Sequence, residues 1–176
     1  MGKKSVKANK NIYQTSREAM EYTREKAGEL MEYISADRIE KIESEKSLPH
    51  PDEIIAMAEC YKNPMLRNYY CTHECPIGQI HADKLELKDL SQIVLEILSS
   101  LNAFDHEKMN LVDITVDGEI TEDEYAQFAK IKSQLDAVSV SVKNLELWLD
   151  QTIADGKIDR EAINKALNVT KERMQQ

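Results

Sequence analysis

Turn-forming residues are scarce in this chain, with five glycines and four prolines in 176 residues. Sheet sandwiches and barrels built on frequent tight turns are therefore poor candidates. Aromatic residues make up only 6%, with two Phe and one Trp. Three cysteines cannot all pair within one chain, which argues against a disulfide framework and for thiols or metal ligands in a reducing compartment. No apolar run approaches the ~18 residues of a membrane span. Met1-Gly2-Lys3-Lys4-Ser5-Val6 carries charge but no apolar stretch behind it, so no secretory leader is read there. A cytoplasmic protein is expected. A glycine-rich phosphate loop, a nucleophile elbow and a paired-carboxylate motif are all missing, and His50 and His106 are isolated, so nothing points to an enzyme.

What is abundant is Glu, Lys, Leu, Ile and Ala, a helix-forming mixture, and the expected class is all-α. With 41% hydrophobic residues, 176 residues can bury one core or two small ones. The net charge of -9 is uneven. Residues 1–66 hold 11 basic and 12 acidic residues, whereas the rest holds 12 and 20. Any contact with DNA phosphates is therefore expected in the first part.

Residues 1–10 form a basic tail with Lys3, Lys4, Lys7 and Lys10. Short helices are expected from Asn11 to Tyr22, Thr23 to Tyr33, Ser35 to Glu45 and Pro51 to Lys62. Thr23 and Ser35 are placed to cap, and Pro51 to occupy a first helical position. A cysteine-containing linker is read over 65–84. Beyond it, Leu87, Leu90, Val94, Ile97, Leu101 and Phe104 recur in steps of three and four. So do Phe128, Ile131, Leu135, Val138, Val142 and Leu145, which predicts coiled-coil-like seams. Val138 to Val142 alternates like a strand but lies inside that register, so helix is favoured. Asp117-Gly118 and Asp155-Gly156 are similar turns, each followed by a capping Thr or Asp, and imply an antiparallel helical bundle over 85–176.

The segment Arg17-Glu18-Ala19-Met20-Glu21-Tyr22-Thr23-Arg24-Glu25-Lys26-Ala27-Gly28, followed by Ile34-Ser35-Ala36-Asp37-Arg38-Ile39-Glu40-Lys41-Ile42, resembles the phage-repressor-like (Xre/Cro-type) helix-turn-helix family over about fifty residues. Small Gly28 lets the third helix cross closely, and Ile34, Ile39 and Ile42 give the pair its apolar face. The turn is one residue longer than the family's usual turn and lacks its glycine. The resemblance implies a lambda-repressor-like domain over 11–64 that binds double-stranded DNA. Thr23 and Arg24 would then touch phosphate, and Ser35, Ala36, Asp37, Arg38 and Lys41 would face the major groove. Arg38 would pair with guanine, Asp37 with cytosine, and Lys46 with another phosphate. Asp37, Glu40, Glu43 and Glu45 on the same helix oppose this electrostatically.

Cys71 and Cys75 are four apart, and Cys60, His73 and His81 lie near enough in sequence to complete a zinc or iron-sulfur site. Buried thiols and a redox-sensing pair fit the same residues. Asp113 to Glu124 partly fits a calcium loop, but Thr121 with Glu124 also reads as a capping box. The expected function is a sequence-specific transcriptional regulator, dimeric through the helices from 85 onward. The alternatives are an intracellular interaction protein that uses the helix-turn-helix as a scaffold, and a thiol or metal sensor at Cys71 and Cys75.

Overall fold

The computed structural model describes residues 10–116 and 118–174, and the tail lysines Lys3, Lys4 and Lys7 and the turn residue Asp117 lie outside them. Among the described residues the chain is helical and without strands. The chain divides into two compact units, one of residues 1–84 with 150–176 and one of residues 85–149.

The first unit begins with α1 (Ile12–Ala19), α2 (Arg24–Met31), α3 (Ala36–Glu43) and α4 (Pro51–Cys60). Each start has a physical cause. Asn11 Oδ1 accepts from the Gln14 amide at 3.0 Å, Thr23 Oγ1 from Lys26 at 3.1 Å, and Ser35 Oγ from Arg38 at 3.2 Å. Each bond satisfies one amide that the helix itself leaves without a partner. Pro51 opens α4, where its missing amide costs nothing. Tyr13, Ala27, Met31, Ile34, Ile39, Ile42, Ile54, Met57 and Leu66 close into one core. Met57 and Ile39 are fully shielded, a burial that stabilises by about 1.5–3 kcal/mol per large side chain.

The segment 65–84, expected as a linker, is instead mostly helix. α5 (Met65–His73) and α6 (Pro76–His81) belong to the first unit. Leu66 is fully buried, Tyr13 Oη donates to Glu74 at 2.9 Å, and Asn63 Nδ2 donates to Ser16 Oγ at 2.8 Å. Asn63-Pro64 ends one helix and starts the next, and Cys75-Pro76 does the same for α6, so these breakers punctuate helices rather than mark a linker. Gly78 is the point of closest approach, because a Cβ there would stand 2.2 Å from the Cys71 carbonyl oxygen.

The second unit holds α7 (Leu90–Ile114) and the larger part of α8 (Tyr125–Ala154). Val138 to Val142 lies within α8 as helix. The two helices run antiparallel. Glu107 pairs with Lys130 near the loop, while the Glu86 amide donates to Asn144 Oδ1 at 3.1 Å at the other end. Gly118 closes the intervening turn at φ 78°. Residues 150–154 of α8 and α9 (Arg160–Met174) group with the first unit, so the region 85–176 does not form one module. There Arg67 pairs with Asp150, and Gln151 Nε2 donates to the Lys62 carbonyl at 3.2 Å. The turn before α9 carries Gly156 at φ 73° and the cap Asp159, whose Oδ1 accepts from the Ala162 amide at 2.7 Å.

Candidate nucleic-acid interface

α2 and α3 are joined by a short turn whose geometry follows from two residues. A Cβ on Gly28 would lie 2.9 Å from the Ile34 carbonyl oxygen and 3.3 Å from the Ala36 amide nitrogen, so only glycine lets the start of α3 sit this close to α2. Glu32 takes φ 61° and ψ -50°, and the Tyr33 amide donates to the Met31 carbonyl at 2.7 Å. This is a positive-φ γ-turn, a rare and strained conformation, imposed on a side chain where glycine would be relaxed.

A charged hub fixes the pair from beneath. Arg17 Nε and Nη2 donate to the two Glu43 carboxylate oxygens at 2.6 and 2.9 Å, and Arg24 Nε adds a third bond at 2.8 Å. Arg17 Nη1 also donates to the Tyr22 carbonyl at 2.5 Å. Arg17 and Glu43 are both buried. Burial disfavours the Arg17 cation, but the bonds from Glu43 outweigh it and hold its pKa above the ordinary value. This hub binds α1, α2 and α3 together. The one sequence signal for it was placement: Arg17 follows Tyr13, and Glu43 follows Ile39, by four positions on core-facing helix sides.

The residues expected to touch DNA fall into two groups. Thr23, Ser35, Asp37, Lys41 and Lys46 are exposed, and Ala36 is half-buried beside Gly28. Thr23 and Ser35 accept cap bonds through their oxygens, and the Thr23 hydroxyl also donates to the Glu25 carboxylate. Lys41 pairs with Asp37 at 2.7 Å and Lys46 with Glu40 at 3.0 Å, so the outward side of α3 is charge-balanced.

Arg38 and Arg24 form the second group, and Arg38 departs from the expectation. Arg38 Nε and Nη2 both donate to Glu53 at 2.7 Å, Nη2 also donates to the Leu48 carbonyl at 2.9 Å, and Nη1 donates to Ser47 Oγ. With this guanidinium clamping α3 to α4, Arg38 is not free to read guanine. Burial pushes the Glu53 carboxyl up, but the bonds from Arg38 and the His50 amide prevail and hold it below the usual carboxylate range. Arg24 gives Glu43 only its Nε, at 2.8 Å, and its side chain stays about one-third exposed.

The expected metal set is not assembled. Among the described residues no three His, Cys, Asp or Glu side chains converge to hold an ion. Cys60 sits at the end of α4, where burial raises its thiol pKa. Cys71 lies within α5, and Cys75 caps α6, its Sγ accepting from the Gly78 amide at 3.4 Å. His73 is stacked on Tyr69 with ring centroids 4.4 Å apart, and His81 is exposed at the end of α6. Around the proposed calcium loop, Glu124 instead accepts from the Thr121 amide at 2.9 Å and hydroxyl at 2.7 Å.

No protein-family model matches this chain, and no curated protein or solved structure matches it. Among the described residues no helix is long and apolar enough to cross a membrane.

Proposed function

We propose that the first unit is a DNA-reading helix-turn-helix domain, and that the protein is a sequence-specific transcriptional regulator acting in pairs joined through the helices from 85 onward. The observation that carries this reading is the α2–α3 pair: the two helices are locked at Gly28 and by the Glu43 hub, and α3 faces solvent with Ser35 and Asp37 at its start and Lys41 in its last turn. A rigid pair with one exposed, capped helix start is what entry into a major groove requires. The ion pairs Lys41–Asp37 and Lys46–Glu40 lie at the surface, where water and salt screen them, so either lysine exchanges its carboxylate for phosphate at little cost. Base contacts fall to Ser35 and Asp37, with Arg38 acting only through the position of α3.

Fluorescence anisotropy of the full chain against genomic fragments, including DNA upstream of its own gene, tests the reading at two salt concentrations. Tight binding to one fragment that weakens with salt, and a shallower salt slope in Lys41→Ala, are the expected results. Binding without preference among fragments overturns it. The charge-balanced face of α3 favours a second reading, a protein-interaction module on the same scaffold. That reading predicts no salt-sensitive DNA binding at all.

A further inference from the structure

We infer that the hairpin of the second unit is half of a four-helix bundle completed by a second copy of this chain, with the two acidic loops at opposite ends. On α7 the residues turned toward α8 include Ile93, Ile97, Ser100 and Leu111, buried or half-buried. Each is followed by an exposed apolar neighbour: Val94, Leu98, Leu101 and Val112. On α8 the inward Gln134 and Ser141 are followed by exposed Leu135 and Val142. One residue is a rotation of about 100° on a helix. Because the helices are antiparallel, the same rotation on both brings all six side chains to one side of the hairpin.

These six side chains are 41 to 55% exposed. With Leu90 they present on the order of 500 Å² of apolar surface, comparable to the apolar share of one side of a standard interface of about 800 Å². Such a patch is at the upper end of what a monomer leaves open. The hairpin's own core is small, since among its described residues the buried apolar side chains are Ile93, Ile114, Ile131 and Leu147. A single layer of two helices needs a second layer. A copy of the same hairpin supplies one of matching length, and beside the patch Asp105 pairs with Lys108 and Lys132 with Asp136, so the acidic excess of the hairpin is compensated locally there.

Charge also sets the orientation. Asp113, Glu119, Glu122, Asp123 and Glu124 crowd the loop end. A pairing with both loops at one end would bring two such clusters together, whereas the reverse pairing keeps them apart by the length of the bundle. α7 then lies over α7 of the second copy, with Leu101 close to its own counterpart.

The inference rests on the pairing within the proposed regulator, but sedimentation of the full chain without DNA tests it separately. Two-chain mass at tens of micromolar is expected, with Leu98→Glu and Leu101→Glu together weakening association at least tenfold while circular dichroism retains its helicity. Leu95→Glu, on the opposite side of the hairpin, leaves the mass unchanged. Single-chain mass for the unaltered protein, or an unaffected double variant, overturns the interface. Mild oxidation of Leu101→Cys then reads the orientation. Peptides joined through position 101 of both chains are expected, and their absence overturns the loops-apart pairing. A dimer that ignores DNA would sink the regulator and leave this interface standing.

Discussion

The first unit and the hairpin solve the same problem differently. In the first, short helices of 6 to 10 residues from α1 to α6 cross one another, and eleven buried hydrophobic residues meet in one cluster. In the second, helices of 25 and 30 residues run side by side with few fully buried apolar groups, and their links include Glu107–Lys130 and Glu86–Asn144. Short crossed helices enclose a volume, whereas two long parallel rods share only a seam. The first unit therefore encloses a core, while the hairpin leaves one side of its apolar surface exposed.

The sharpest way to break that comparison is to remove side chains from each part. Ile39→Ala, at a fully shielded position, is expected to cost about 2–5 kcal/mol in urea unfolding. Leu95→Ala, at a 68% exposed position, is expected to stay within about 0.5 kcal/mol. Equal losses would contradict the contrast.

The buried charges come next. Arg17→Ala leaves Glu43 buried with only Arg24, and about 3 kcal/mol of destabilisation is expected in the same assay. An unchanged midpoint would remove the hub from the account.

Arg38→Ala is expected to cost about 2 kcal/mol at pH 7 by stranding Glu53. The Glu53 pKa is lowered by folding, so its stabilisation is present above the unfolded carboxyl value near ~4.3 and is lost as pH falls through the folded one. The deficit of the variant should accordingly shrink below about pH 5. A deficit that is flat from pH 7 to 3 would mean that Glu53 is not the partner that matters.

The smallest effect has the opposite sign. Glu32→Gly is expected to stabilise the first unit by up to about 1 kcal/mol, because glycine adopts the positive φ of the γ-turn without strain. Thermal denaturation reads this directly, and a lowered midpoint would show that the Glu32 side chain contributes more than its backbone strain costs.

Much of the first unit is legible along the chain because its causes are local. The caps Asn11, Thr23 and Ser35, the helix-opening prolines and the apolar spacing of Ile34, Ile39 and Ile42 each act within a few residues. The helices α5 and α6 are less legible, since Leu66, Tyr69 and Tyr70 keep helical spacing but are surrounded by Asn, Pro, Thr and Cys, which read as turn. The seams of α7 and α8 are half legible. The three-four pattern captures Ile97, Phe104, Ile131 and Val138, but it mixes them with Val94, Leu101, Leu135 and Val142, which remain exposed.

The candidate interface divides along the same line. That Thr23, Ser35, Asp37, Lys41 and Lys46 stand at the surface follows from helical period and charge, properties that the sequence states by itself. That Arg38 and Arg24 are held by Glu53 and Glu43 does not follow, because those partners are 15 and 19 residues away and two helices had to pack before they met. The sequence by itself determined the helical class, the caps and the apolar stripes, since these depend on neighbours within one turn. Only the tertiary structure decided which arginines became part of the frame, which cysteines stayed apart and which stripe was left open, because a guanidinium is committed by whichever carboxylate folding brings within three ångströms of it.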